Sequence, residues 1–408
     1  MVNLKDWQEI NIGNDTTLKA RIGWQGLTTG EYKDSGEYYL VTGTDFENGF
    51  VNWDTCHFVD KWRFDQDKNI QLKVNDVLIT KDGTIGKAGF IDTIKLPTTL
   101  NSGVFVIRTN SNKLDQKYLY YIFTSEIFVE FLNRLTAGST INHLYQKDFV
   151  HFTFKAPKLE EQKAIAKALS DTDELITTLE KLISKKEAIK QGTMQQLLTG
   201  KKRLSGFSGD REEKRLGEVI KLQGGYAFQS NKFRKQGIKV IRISNIQDSN
   251  IDLDDVVFYD EIKIAKDFQV IKNDILIAMS GATTGKVGKY LEQNFSYLNQ
   301  RVGKLVTLNE NQNDKDFIYY LSISNEFTSQ LIKMLAQGAQ PNISGKQIES
   351  MIFNFPKKEE QKAIAQILSD MDNEIETLKQ KLSKTKAIKD GIMSELLTGK
   401  TRLKVKDE

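Results

Sequence analysis

Gly281-Ala-Thr-Thr-Gly285-Lys286 is the stretch of this 408-residue chain that comes nearest to a catalytic motif. A phosphate-gripping loop needs four residues between its glycines and Ser or Thr after the lysine. Backbone amides then cradle the phosphate oxygens while the hydroxyl reaches Mg2+. Here three residues separate the glycines and Val287 follows the lysine. The parallel stretch Gly83-Thr-Ile-Gly86-Lys87-Ala88 departs further. Both are expected to be tight turns between strands, with glycine supplying the geometry.

Other chemistries find no better footing. Cys56 is the only cysteine, which excludes an internal disulfide and a thiolate metal cluster. His57, His143 and His151 have no partners at metal-ligand spacing. No glycine-rich cofactor fingerprint, His-Glu-x-x-His or nucleophile elbow occurs. Neither does the Asn-Pro-Pro-Tyr or Asp-Pro-Pro-Tyr of an amino-methyltransferase. Carboxylate–lysine pairs such as Asp65 and Lys68 are too common to mark a nuclease. The chain is expected to perform no chemistry itself.

Binding is what the same turns allow. Lys81, Thr84 and Lys87, with Ser280, Thr283, Thr284 and Lys286 in the second half, are short polar or basic groups on glycine turns. Such groups can approach phosphates or base edges, or can be plain solvated loop residues. Ser139, Thr140 and Asn142 with Lys147, and Gln337, Gln340 and Asn342 with Lys346, combine amides and hydroxyls with a nearby lysine. Tyr226, Phe228, Ser230 and Lys232 form an aromatic–basic cluster whose rings suit a core better than a surface. The formal charge of +4, from 58 basic against 54 acidic residues, admits nucleic acid only where basic groups cluster in space. No apolar run approaches the ~18 residues of a membrane span. The N-terminus, Met-Val-Asn-Leu-Lys-Asp-Trp, lacks the apolar core of a signal peptide. A cytoplasmic protein with no membrane partner is the expectation.

The elements that must position these groups are duplicated. Pro157–Leu204 returns as Pro356–Leu403, shifted by 199 residues without a gap and identical at 30 of 48 positions. Each copy opens Pro-Lys-x-Glu-Glu-Gln, placing carboxylates at the positive end of a helix dipole. Ile364, Leu368, Met371, Ile375, Leu378 and Leu382 then alternate by four and three, the seam of a coiled coil. Ile165, Leu169, Ile176, Leu179 and Ile183 keep that seam in the first copy. A second stripe runs through Ala168, Leu175, Leu182 and Ile189. Gly200 and Gly399 suit helix stops. A helix from Glu160 to about Leu198 would be roughly 55–60 Å long, and each copy is the obvious antiparallel partner of the other.

Before each copy lies a unit of mixed α/β character. Tyr38–Thr42, Val77–Thr80 and Val104–Ile107 read as strands, and Gln116–Leu135 as a helix. Asp274-Ile-Leu-Ile277 and Phe317-Ile-Tyr-Tyr-Leu321 repeat Asp76-Val-Leu-Ile79 and Tyr118-Leu-Tyr-Tyr-Ile122 in diverged form. Two units of one fold with different surfaces are expected.

Glu160-Glu-Gln-Lys-Ala-Ile-Ala166 followed by Leu197-Leu-Thr-Gly-Lys201, duplicated at Glu359–Ala365 and Leu396–Lys400, resembles the conserved regions of type I restriction-modification specificity subunits. Trp7-Gln-Glu-Ile-Asn-Ile-Gly13 and Leu216-Gly-Glu-Val219 look like the openings of that family's target-recognition domains, except that Arg211 stands where Trp7 has its counterpart. The likeness spans essentially the whole chain.

It implies an α+β fold with a pseudo-twofold repeat: two mixed α/β target-recognition domains, residues 1–156 and 206–355, separated by two long antiparallel coiled-coil helices, residues 157–205 and 356–408. Each domain would read one half of a bipartite, asymmetric site in double-stranded DNA. The helices would set the spacing and dock two methylation subunits, with Glu160 and Gln162 at the docking head. Those subunits would bring S-adenosylmethionine, and restriction/translocation subunits ATP and Mg2+, leaving no cofactor in this chain. Two other classes stand beside this one: a stand-alone enzyme, active without partners, and a coiled-coil scaffold indifferent to DNA. Exchanging Arg211–Phe355 for the same segment of a relative should change one half of the recognised site and leave the other. Mapping methylated adenines in cells carrying the chimera checks this, and a change in both halves would sink the modular reading.

Overall fold

The computed structural model describes residues 6–136, 143–336 and 342–404. The chain forms two compact units, one of Met1–Glu180 with Gln380–Glu408 and the other of Lys181–Lys379. Each unit therefore takes a part of both long helices, Leu159–Leu198 and Lys358–Leu396.

The first unit is closed by a ribbon in which Gln8–Asn11 pairs antiparallel with Thr153–Ala156. Its main sheet runs Thr16–Ala20, Val104–Thr109, Val77–Thr80, Ala88–Phe90, then two short strands. A second sheet sets Tyr39–Val41 between His57–Phe58 and Thr98–Leu100. Val77–Thr80 is buried along its whole length, as its β-branched and aliphatic sequence requires. The second unit repeats this plan. Glu212–Arg215 pairs with Ile352–Phe355, and one sheet runs Ile220–Gly224, Val302–Thr307, Ile275–Ala278, Val287–Lys289. Ile238–Ile241 lies between Val257–Tyr259 and Ser296–Leu298.

Two expectations are adjusted by local chemistry. The strand at Tyr38–Thr42 shortens to Tyr39–Val41, because Thr42 caps the following turn together with Asp45. The helix read over Gln116–Leu135 is two helices, Gln116–Phe123 and Glu126–Thr136. Ser125 turns its hydroxyl back to the Ile122 carbonyl at 2.7 Å at the break, where a hydroxyl competes with the helical ladder. All six residues Tyr118–Phe123 are buried, which makes this a core helix rather than an amphipathic one. The long helices begin within a residue or two of their expected starts and run down to Gly200 (φ +76°) and Gly399 (φ +73°), where the left-handed backbone ends them.

The repeated segment is explained by how its two ends are used. Glu161 is buried in the first unit and accepts hydrogen bonds from Nε of Arg402 at 2.8 and 3.1 Å, from its terminal nitrogen at 2.6 Å and from the Leu403 amide at 3.2 Å. Glu360 is buried in the second unit between Arg203 at 2.6 Å and Arg211 at 3.0 Å. The glutamate head of each copy thus binds the arginine tail of the other. Arg211 also donates to the carbonyls of Leu197 and Leu198. Its counterpart Trp7 instead packs beneath Arg402, 5.7 Å from ring to guanidinium. Tryptophan and arginine therefore fill one slot in two ways, one stacking on the clamp and the other joining it.

The neighbouring glutamines are staples. Gln162 accepts from the Asp115 amide at 2.9 Å and donates to the carbonyls of Lys113 and Pro157. Gln361 does the same for Asp314, Gln312 and Pro356. Gln162 is fully buried, so its amide serves the interior of the unit and offers nothing to a docking partner. Glu160 remains exposed, paired with Lys163 at 2.8 Å.

Of the seam residues, Ile165 and Leu169 enter the first unit's core with Leu396 and Leu397, and Ile364 and Leu368 enter the second's with Met194, Leu197 and Leu198. Leu179, Ile183 and Ile375 are buried, while Ile176, Met371, Leu378 and Leu382 are half-buried. Ion pairs link the helical segments within each unit: Asp173–Lys389 at 2.6 Å and Glu180–Lys386 at 2.7 Å in the first, Lys186–Glu374 at 2.6 Å, Glu187–Lys379 at 2.7 Å and Lys190–Asp372 in the second. One residue number rises as the other falls, so within each unit the segments run antiparallel. Tyr121 and Tyr320 donate to Asp173 and Asp372, both at 2.8 Å, tying the core helix of each unit to the same carboxylates. Burial raises both phenols well above the ordinary tyrosine value, which keeps them donors.

Glu360→Ala should destabilise the second unit by about 3 kcal/mol, because Arg211 is left buried without its counter-charge. Glu161→Ala should cost less, since Arg402 is 35% exposed against 7% for Arg211. Hydrogen exchange under mild denaturant checks both; equal losses of protection in the two units would contradict the assignment.

Candidate nucleic-acid interface

Three backbone hydrogen bonds define one end of the first unit. The Asn101 amide donates to Val41 at 3.0 Å, the Lys81 amide to Gly103 at 2.9 Å and the Leu144 amide to Lys81 at 2.8 Å. They gather the segments after three strands and the start of the Gln146–Phe149 helix region around a groove of about 340 Å³. Thr42, Thr44, Asp82, Thr84 and Asn101 line it, with His57 at its rim. His143 contacts the Asp82 carboxylate through Nδ1 and packs on the Tyr145 ring at 4.6 Å. The second unit forms the same frame: Asn299 to Ile241 at 3.1 Å, Met279 to Arg301 at 3.0 Å and Ile343 to Met279 at 3.0 Å. Gly225 lies against the Asn299 carbonyl so closely that a Cβ would stand 2.1 Å from it. This brings Tyr226 to the same edge.

The turn residues named from the sequence divide by what they touch. Lys81 stands at the frame, half-buried, with its ammonium 5.3 Å from the Phe105 ring; burial lowers its affinity for a proton. Thr84 is exposed in the groove wall. Lys87 points inward, donating to the Phe46 carbonyl at 2.6 Å. Lys147 is exposed beside the Tyr145 ring, and Lys346 is exposed on the Gly345–Glu349 helix. Ser139, Thr140, Asn142, Gln337 and Gln340 lie outside the described residues, and Asn342 is exposed at the edge of them.

In the second unit Thr283 donates to the Ile243 carbonyl at 2.9 Å and Thr284 to Gly281 at 2.7 Å, so both hydroxyls serve the turn. Lys286 lies 3.3 Å from Gln247 and 3.5 Å from Asp248. The Ser280 hydroxyl is buried and has no hydrogen-bond partner among the described residues. The aromatic cluster splits. Phe228 is buried against Tyr259 and Tyr297, whereas Tyr226 is 38% exposed and meets Phe228 and Phe268 edge-on. Ser230 and Lys232 are exposed on the short turn that follows.

The frame also collects residues that motif reading passed over: Thr42, Asp82 and Asn101 in the first unit, Arg242, Asn299 and Arg301 in the second. One signal was available. Leu100-Asn101-x-x-Val104 and Leu298-Asn299-x-x-Val302 share a pattern at the same place in both units.

The geometry offers no catalytic centre among the described residues. The glycine turn of the second unit leads into the strand Val287–Lys289 rather than a helix, so no helix N-terminus faces a phosphate. Gly285 (φ +86°) is required by packing, since a Cβ would lie 1.9 Å from Leu331. Cys56 is buried, and burial with Asp45 and Asp54 nearby pushes its thiol up to about 12, far from a reactive thiolate. No group of three metal-ligating side chains occurs among the described residues. No described helix is long and apolar enough to cross a membrane.

Comparison with known proteins agrees with this arrangement. The family described as type I restriction modification DNA specificity domain matches twice, over residues 5–191 and 209–387. The type I restriction enzyme MjaVIII specificity subunit of Methanocaldococcus jannaschii is 32% identical over 422 residues, spanning 98% of this chain and 94% of the relative. The putative MjaX specificity subunit of the same organism is 29% identical, spanning 93% and 91%. Among solved structures, the type I restriction-modification S subunit from M. genitalium shares the fold with a TM-score of 0.63 at 19% identity, covering 97% of this chain and 96% of that one. A chain from a structure concerned with complex assembly and conformational transition of the type I system aligns with a TM-score of 0.53 at 15% identity over 97% and 98%. Two matching domains, near full-length relatives and a shared two-unit fold place this chain in the family of type I restriction-modification specificity subunits.

Proposed function

We propose that each unit reads one half of a bipartite site in double-stranded DNA through the polar end of its sheets, and that the chain acts as the non-catalytic address label of a larger complex. The observation that carries this is the frame itself. The same backbone hydrogen bonds recur in both units, yet the side chains they present differ. A surface that binds one common polymer while distinguishing two sequences needs that division, because phosphate contacts position and base contacts specify.

The helices have a second role in this reading. Leu175 in the first unit and Ile189 in the second are 41% and 45% exposed, and Ile388 is 48% exposed. Apolar side chains left on helices whose other residues enter the cores suit the docking of two methylation subunits, with Glu160 and Lys163 at the margin. Restriction/translocation subunits would join through them. S-adenosylmethionine, ATP and Mg2+ would come with those partners. The helices would also set the spacing between the half-sites, in the cytoplasm where DNA and partners meet.

Lys147→Ala and Lys346→Ala should each weaken binding to matched and mismatched duplexes alike. Each should also reduce the slope of log K against log salt by about 0.9, one phosphate contact apiece. Lys87→Ala should leave that slope alone and lower stability instead, because its ammonium is held by the Phe46 carbonyl. Salt titrations by fluorescence anisotropy check the series. An unchanged slope in both exposed-lysine variants would count against this face.

A further inference from the structure

Matching the units bond by bond gives a position-by-position comparison of their reading ends. Asn101 corresponds to Asn299, Lys81 to Met279 and Gly103 to Arg301, because each pair makes the same backbone hydrogen bonds. Thr42 and Arg242 follow the paired residues Val41 and Ile241, and Asp82 and Ser280 follow Lys81 and Met279. The asparagine is common to both. The other positions change from Thr, Lys, Asp and Gly in the first unit to Arg, Met, Ser and Arg in the second.

Three polar groups at this end of the second unit lack partners among the described residues. Arg301 is exposed, and its side chain makes no hydrogen bond or ion pair among the described residues. Arg242 reaches the Asp255 carbonyl at 3.1 Å and its carboxylate at 3.8 Å through a terminal nitrogen, while its Nε, like the Ser280 hydroxyl, is buried without a partner among the described residues. A planar guanidinium with free donors matches two acceptor arrays on DNA, the oxygens of a phosphate and the O6/N7 pair of guanine in the major groove. The comparison between units separates them. A phosphate contact has no reason to be present in one unit and replaced by glycine in the other, since both meet the same backbone. A base contact does.

Resting on the DNA reading above, we infer that the half-site read by the second unit contains a guanine held in the major groove by Arg301, with Arg242 beside it. Gly103 leaves the first unit's half-site free of that requirement at the equivalent step.

The test is selection of bound sequences from a randomised duplex library by the full chain assembled with its methylation subunits. The wild type should yield a two-part motif. Arg301→Ala should turn one invariant guanine in one half into a degenerate position, lowering discrimination there by about 5- to 150-fold. The rest of the motif should be retained. Arg301→Lys should keep affinity and lose part of the preference. Uniform weakening across all sequences would assign Arg301 to a phosphate, and an unchanged motif would leave it a solvated side chain; either result overturns the inference alone. A wild type that selects no motif would overturn the DNA-recognition reading itself. Thermal melts of both variants confirm the fold, which the exposed position of Arg301 should leave intact.

Discussion

Two buried carboxylates, Glu161 and Glu360, set the terms for the rest of the structure. An ionised side chain removed from water needs a counter-charge and hydrogen bonds, and each glutamate finds them at the far end of the other repeat, in Arg402 and Arg203. The consequence is covalent topology of an unusual kind. The first unit cannot close from a contiguous stretch of chain, because Leu396 and Leu397 of its core belong to Gln380–Glu408; the second is contiguous but closes on Met194, Leu197 and Leu198, from before its own opening strand. The high identity of the repeats fits this exchange, since each head binds the tail of the other copy. Where the copies differ, as at Trp7 and Arg211, the clamp is reinforced by stacking in one unit and by a second guanidinium in the other.

Around these clamps the helical segments are fastened to the globular parts by a second duplicated device. Asp173 and Asp372 each receive a tyrosine from the core helix and a lysine from the antiparallel segment. A carboxylate shared between a phenol and an ammonium fixes three elements at once. Each reading end is thereby referred, through its sheet and core helix, to the helical segments of its own unit. This rigidity suits a protein whose function is to place contacts rather than make and break bonds.

The proposed reading ends follow an opposite rule. Backbone hydrogen bonds are kept while side chains are exchanged, so the frame tolerates Asp82 and His143 in one unit and Ser280, Arg242 and Arg301 in the other. Much of the polar surface named at first inspection supports this frame instead of facing outward. Thr283, Thr284 and Lys87 each donate to a backbone carbonyl of their own unit, which is why glycine turns that look like binding loops are largely structural here.

The sequence alone determined the duplication, the two long helices to within a residue or two of their ends, the glycine stops, the strands at Val77 and Val104 and the absence of a catalytic motif. These are local properties: helical periodicity and turn chemistry are written within a few residues of where they act. Only the tertiary structure decided which polar groups stand together. Asn299, Arg242 and Ser280 are tens of residues apart and converge through strand pairing, which leaves no mark in any short window. The same holds for Gln162, which reads as an exposed helix residue until the loop at Lys113–Asp115 folds over it. It holds too for Glu161 and Glu360, whose partners lie on the other copy of the repeat. Helices are legible because their hydrogen bonds are local; a site assembled from loops becomes visible only when the sheets that carry them are in register.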